Sequence, residues 1–338
     1  MTVESDSRTS TPVDTGAKLS GPRSGSFIAW LLRIDIIGLV AVYAVLFSYF
    51  ALSTRYFFSG DNISNVLREM SVVGIISLGQ TVVILAKQID LSVGNVAAVS
   101  SVVAAFASQA GWPAPIVILA GLSVGVLFGL LNGILVAKAH VNALVVTLGT
   151  MTIALGVAII LTGGAPESIE TGLLEVLGQG GISIVPYQFL LLIGFTLLAA
   201  AALRFTVFGR SVYAAGDNED AARLNGISVD RVIIGAFIIC GIFSSIGGLL
   251  LAGEFATADP TIGTDLNLQT IAAVVIGGTS LFGGVGGVGG SVLGAAFIAT
   301  LANGMVQFNI QSAWQEVVTG TVIVAAVLLD QLRRRRRG

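Results

Sequence analysis

Along this chain, long apolar runs alternate with short polar breaks, and the runs are of membrane length. No charged residue occurs in residues 91–137, 176–203, 232–253 or 266–315. A hydrocarbon core of roughly 30 Å is crossed by about 20 apolar residues in a helix. The first span is placed at about Ile36–Phe50 and the second at Asn62–Ala86, closed by Lys87. The run from Leu91 to Ala137 is too long for one crossing, and Trp112-Pro113-Ala114-Pro115 divides it into spans three and four, because prolines so close together end a helix. Span five is about Asn142–Leu161, span six about Tyr187–Leu203 and span seven about Val232–Leu251. The charge-free stretch 266–315 is split at Gly283–Gly290 into spans eight and nine, and span ten runs from about Ala313 to Leu329. The pattern predicts an all-α polytopic membrane protein of about ten transmembrane helices. Residues 1–26, rich in Ser, Thr, Pro and Gly, form a disordered tail ahead of one membrane domain over 27–332, and 333–338 make a basic tail. Glu4 and Asp6 stand where a cleavable signal peptide would be basic.

Composition agrees with the pattern. The 338 residues are 54% hydrophobic and 11% charged, with mean hydropathy +0.92, against about 25% charged in soluble domains. Net charge is −2, and no nucleic-acid partner is expected. Cys240 is the only cysteine and His140 the only histidine, which excludes an internal disulfide and a metal centre built on several histidines and counts against a catalytic triad. No catalytic residue and no metal ligand set is assigned. Lys87, Lys138, Arg204, Arg210, Arg223, Arg231 and Arg333–Arg337 fall on one face and the acidic loops on the other, with Arg55 and Arg68 as exceptions. By the positive-inside rule both termini are cytoplasmic.

The one long polar segment inside the chain is the island from Phe208 to Arg231. Asp217, Asn218, Glu219 and Asp220 precede Ala221-Ala222-Arg223-Leu224 and the stop Asn225-Gly226, a pattern that predicts a two-turn helix from Asp217 to Asn225 on the cytoplasmic side between spans six and seven. A helix so short is unstable alone in water, so it should be held by a partner, with Ala221, Ala222 and Leu224 available to dock in a groove.

Other features are assigned to packing or to a path. Gly121, Gly125, Gly129 and Gly133 recur every fourth residue in span four, and Gly286, Gly290 and Gly294 repeat that spacing in span nine. Such faces allow close helix packing, and their separation by five spans suggests an inverted repeat of spans two to five in seven to ten. Asp90 can cap the N-terminus of span three. Gln80, Asp90, Asn95, Asn142, Thr147 and Asn303 are candidates for an uncharged polar route suited to a polyhydroxylated solute. Gly284–Gly289 matches G-x-G-x-x-G in form only, since no acid follows before Glu316 and both flanks are spans. No P-loop occurs, so an ATP-driven process needs another subunit; the alternative is an ion-coupled or passive carrier acting alone.

Glu219-x-Ala221-Ala222 with Gly226-Ile227 resembles the coupling motif of bacterial ATP-binding cassette importer permeases. The ribose-type sugar permeases are the subgroup that Gly216-Asp217-Asn218-Glu219 with Ala222-x-Leu224-x-Gly226-Ile227 resembles. Ile89-Asp90-Leu91-Ser92-Val93-Gly94, Val146-Thr147-Leu148-Gly149 and Ala272–Leu281 are also similar to that subgroup, as is Pro260 with Gly263. The likeness covers about Asn62 to Asp330. It implies a ten-span fold of the cobalamin-importer type and a permease in a bacterial inner membrane that imports a sugar. The implied partners are a second permease copy, a cytoplasmic ATPase and an extracytoplasmic solute-binding protein. It places Asp217, Asn218, Glu219, Ala221, Ala222, Arg223, Leu224 and Gly226 at the ATPase contact. No cofactor is implied in this chain, with ATP and magnesium held by the ATPase.

Overall fold

A computed structural model describes residues 34–335. The tail expected at 1–26 and the last residues of the basic tail lie outside that range. Among the described residues there are thirteen helices: α1 Ile34–Ser53, α2 Gly60–Leu85, α3 Val93–Gln109, α4 Ala114–Ala137, α5 Ala143–Thr162, α6 Gly172–Gln179, α7 Tyr187–Phe205, α8 Val207–Asp217, α9 Glu219–Leu224, α10 Val229–Phe255, α11 Leu266–Ile276, α12 Val288–Gln307 and α13 Ser312–Arg335. Four two-residue strands, β1 Glu167–Ser168, β2 Gly181–Ile182, β3 Val185–Pro186 and β4 Thr257–Ala258, form antiparallel pairs β1–β4 and β2–β3. Six helices (α2, α4, α5, α7, α10 and α12) are long and apolar enough to cross a membrane, and α1, α3, α11 and α13 have shorter apolar stretches.

α2 and α10 form the centre. α10 packs along α4, α2 and α3, and α2 also meets α12, α7 and α11. Their apolar side chains join one buried cluster that includes Ile75, Ile76, Leu78, Phe237 and Cys240. The peripheral helices instead expose Leu119, Leu127, Ile153, Ile160, Leu197 and Leu198. A helix that is apolar on its outward face as well as its inward one fits a lipid surround.

The glycines of α4 explain its packing. A Cβ on Gly125 would collide with Gly241 O, one on Gly129 with Phe237 O, and one on Gly133 would sit 2.8 Å from Ile234 Cα. Gly121 meets Leu249 and Ser100 O. The second ladder differs from its expectation. Gly290 and Gly294 pack on Gly277 and Ala273 of the α11 segment, whereas Gly286 precedes α12, at φ +133° beside Thr279. It belongs to a loop, so the ladder has two members and faces another partner.

Two helices start inside the bundle. α3, of 17 residues, begins beside the middle of α10, where the Ser244 hydroxyl donates to Val93 O and Gly248 abuts Ala97 O. α11 has 11 residues, about 16 Å at 1.5 Å per residue, half of a bilayer core. The expected eighth span thus ends early, because 277–287 is a turn-rich loop with positive φ at Gly278, Gly283, Gly284 and Gly286. The two helix starts meet: Gly94 lies against Gly263, Gly94 N–H donates to Asn267 Oδ1 at 2.7 Å, and Asn267 Nδ2 donates to Asn95 Oδ1 at 3.4 Å.

The end of the bundle opposite the island is closed by polar connections. β1 pairs with β4, Gln109 donates to Glu167 and Ser168, and α6 rests on the end of α10, where Gln179 donates to the carbonyls of Gly253 and Glu254. Arg68 bonds the Gly178 and Gln179 carbonyls, joining α2 to α6.

Candidate functional site

The polar island forms two helices, where one had been expected. Thr206 starts α8, its hydroxyl accepting Gly209 N–H at 3.0 Å. Val212, Ala215 and Gly216 turn inward at helical spacing. Asn218, at φ −150° and ψ 105°, ends α8 and caps α9, its Oδ1 accepting Ala221 N–H at 2.9 Å. Glu219 and Asp220 occupy the first turn of α9 and Arg223 its last, matching the helix dipole. The stop is a Schellman arrangement: Gly226 N–H donates to Arg223 O and Ile227 N–H to Ala222 O, each at 3.0 Å. Gly226 has φ +81°, which glycine adopts without steric penalty. The helix expected from Asp217 to Asn225 is therefore Glu219–Leu224, with Asp217 belonging to α8.

Ala222 corrects a second expectation. It is 4% exposed and part of the protein's own core, so it anchors α9 and is closed to a partner. The outward face consists of Glu219, Asp220, Ala221, Arg223 and Leu224, and Leu224 is 89% exposed.

Charge ties α9 to the bundle. Arg223 Nη2 lies 3.0 Å from Glu219 Oε1 and 2.7 Å from Asp230 Oδ1, and Lys138 Nζ lies 2.8 Å from Asp230 Oδ2. Hydrogen bonding to Asp230, then to Glu219, holds the Arg223 guanidinium more firmly protonated than usual. α8 grips elsewhere: Gly216 packs on Leu85 O and Gly284, Gly284 N–H donates to Leu85 O at 3.0 Å, and the Tyr213 hydroxyl donates to Gly286 O at 3.0 Å.

The candidate path residues do not line up as one file. Asp90 is buried, and its Oδ1 accepts the Ser92 N–H at 2.8 Å and hydroxyl at 2.6 Å. It closes the turn before α3, while the bond to a free N–H inside that helix comes from Asn267, so the capping expected of Asp90 is made by another segment. Asn132 donates to Ser92 Oγ at 3.1 Å. Thr147 donates to Ala143 O at 2.8 Å, Asn95 to Met151 O at 2.9 Å, and Gln80 Oε1 receives the Cys240 thiol at 3.5 Å. These four candidates, Gln80, Asp90, Asn95 and Thr147, lie buried around the start of α3. Asn142 caps α5 through Leu144 N–H at 2.9 Å. Asn303 exchanges two 3.0 Å bonds with Asn62, far along α12. Among the described residues no group of three His, Cys, Asp or Glu could hold a metal ion.

Sequence reasoning missed Asp230, Tyr213 and Asn267. Asp230 and Tyr213 carry no local signal of their partners. For Asn267 a signal exists: Asp265-Leu266-Asn267 echoes Asp90-Leu91-Ser92 at the other internal helix start.

Residues 62–327 match the family model described as branched-chain amino acid transport system / permease component. The chain belongs to this permease family. It is 38% identical over 311 residues to a ribose import permease protein of Haemophilus influenzae, covering 90% of this chain and 92% of the relative. An L-arabinose ABC transporter permease protein of Azospirillum brasilense is 33% identical, with 98% of this chain and 96% of the relative covered. A xylose transport system permease protein of Escherichia coli is 32% identical, covering 94% and 98%. No solved structure matches the chain. The permease is thus a multi-pass helical membrane protein with relatives in sugar import, as the four separated motifs led one to expect.

Proposed function

We propose that this permease is the non-catalytic, membrane-spanning subunit of an ATP-binding cassette importer that carries a pentose, hexose or related polyol into a bacterial cytoplasm across the inner membrane. The observation that carries the reading is α9: a short capped helix that turns Leu224 outward at the end of the bundle while Ala222 and Asp230 fasten it inward. Such a helix is suited to transmit force from an ATPase, which would hold the ATP and magnesium. In this reading the island end and both termini are cytoplasmic. A solute-binding protein docks at the opposite end, and two copies of the permease enclose the path. The names of the relatives support a sugar cargo.

An inverted repeat of α2–α5 in α10–α13 is part of the proposal. It is supported by α4 packing on α10 as α12 packs on α2, and by α3 and α11 each starting within the bundle at an Asp-Leu pair. The ten apolar segments then make ten membrane passes, with α3 and α11 completed by the non-helical residues before them.

Cysteine cross-linking tests the α9 assignment. Leu224→Cys, in the chain carrying Cys240→Ser, should cross-link to a cysteine scan of its ATPase subunit. Cross-linking to the binding protein instead would overturn the assignment.

A further inference from the structure

The island holds the bundle with two separate grips, divided at Asn218. α8 grips α2 and the 277–287 loop by backbone contact at Gly216, Leu85 and Gly284, and near its start Phe208 lies against Gly235 of α10. α9 grips through Ala222, buried in the core, and through one carboxylate. Asp230 stands in the first turn of α10, one oxygen 2.7 Å from Arg223 of α9 and the other 2.8 Å from Lys138, the residue that closes α4. α4 and α10 cannot slide independently, because Gly125 and Gly241 meet backbone to backbone and Gly129 and Gly133 lie against Phe237 and Ile234. The Asp230 carboxylate therefore ties the outward helix to both members of this pair at once. Side-chain exposures of 60% at Lys138, 42% at Arg223 and 21% at Asp230 make these bridges poor contributors to stability. What they fix is geometry, since the two carboxylate oxygens define where α9 sits relative to both helices.

We infer that Asp230 is the positioning residue through which displacement of α9 moves the α4–α10 pair, separately from the α8 grip on α2. The inference rests on the reading of α9 as the ATPase contact. Loss of the link leaves α9 attached by Asn218 to α8, by residues 225–228 and by Ala222, with no ion pair to the α4–α10 pair, so an ATPase stroke is absorbed in the turn. Hydrolysis then continues while the helix pair follows less often.

The test uses the full complex of permease, ATPase and binding protein in proteoliposomes, with D-ribose, L-arabinose and D-xylose as probes. Uptake and ATP hydrolysis are measured in the same vesicles, and assembly by co-purification. Asp230→Asn should assemble normally, keep hydrolysing ATP and lower sugar transported per ATP roughly two- to thirtyfold, the range of coupling changes caused by single residues. Asp230→Glu, which can still span both cations, should recover most of the ratio, and Lys138→Met should lower it less than Asp230→Asn. An unchanged ratio in Asp230→Asn overturns the inference, as does a fall in uptake and hydrolysis that merely tracks lost assembly. Leu224→Cys cross-linking in the same complex separates the two levels. A cross-link with an unchanged Asp230→Asn ratio counts against Asp230 alone, whereas cross-linking only to the binding protein counts against α9 itself.

Discussion

Two residues at the tip of the island make opposite demands. Gly226 is required by backbone geometry, because its φ of +81° completes the Schellman stop of α9. Gly226→Ala should cost about 1 kcal/mol locally. It should raise amide hydrogen exchange across 219–225 while leaving the membrane helices protected, and protection unchanged in that segment would contradict the geometry. Leu224 is 89% exposed at the end of its helix and outside the cores formed by the described residues. Leu224→Asp should leave insertion and thermal stability as they are and weaken co-purification with the ATPase. A lowered melting temperature with normal ATPase binding would reverse that assignment. At this scale the sequence already showed the acidic start and the Asn-Gly stop. It did not show that Ala222 faces inward, since a two-turn helix has no preferred face until its anchor, here the core beneath α8 and the Arg223–Asp230 pair, is known.

Among the elements, the glycine contacts give the sharpest contrast. A Cβ on Gly125 runs into Gly241 O, but one on Gly156 of α5 meets nothing within 4 Å. Gly125→Ala should therefore destabilise the protein by about 1–3 kcal/mol through overpacking. Gly156→Ala should be neutral or gain up to about 1 kcal/mol from helix propensity. Thermal unfolding in detergent compares the two, and equal shifts would argue against a backbone-close α4–α10 pair. The cap supplied by Asn267 is a second case. Asn267→Ala leaves the Gly94 N–H buried without its partner, at a cost of about 1–3 kcal/mol. A Tm equal to that of the unmodified protein would rule this cap out as a stabilising contact.

These elements also mark how far the sequence could be read. Spans bounded by charge or proline, such as α2, α4 and α7, fall within a few residues of their predicted limits. α11 and the loop after it do not. Residues 266–315 contain no charge to mark a boundary, and glycine fits a turn as well as a packed helix. α6 was overlooked because its apolar residues, Leu173, Leu174, Val176 and Leu177, lie among glycines and acids in a stretch that reads as loop. The meeting of α3 with α11 depends on contacts across more than 160 residues, as between Gly94 and Asn267, which composition and periodicity cannot reveal.

At the scale of the whole molecule, α10 runs from Asp230 at the island end to Glu254 beneath α6. In the proposed orientation these are the cytoplasmic and extracytoplasmic ends, so one 27-residue helix connects the ATPase side with the binding-protein side. Labelling checks the orientation in cells. In the Cys240→Ser background, Ser228→Cys should react with an impermeant thiol reagent only after permeabilisation, and Ser168→Cys should react without it. The reverse pattern would invert the topology. The central claim is that transport needs ATP hydrolysed by a partner, and reconstituted uptake tests it most directly. Proteoliposomes holding the permease alone, the permease with its ATPase, and the permease with both ATPase and binding protein are compared with and without ATP. The account predicts sugar accumulation in the complete system with ATP and none by the permease alone. Uptake by the permease alone at the rate of the complete system would contradict it.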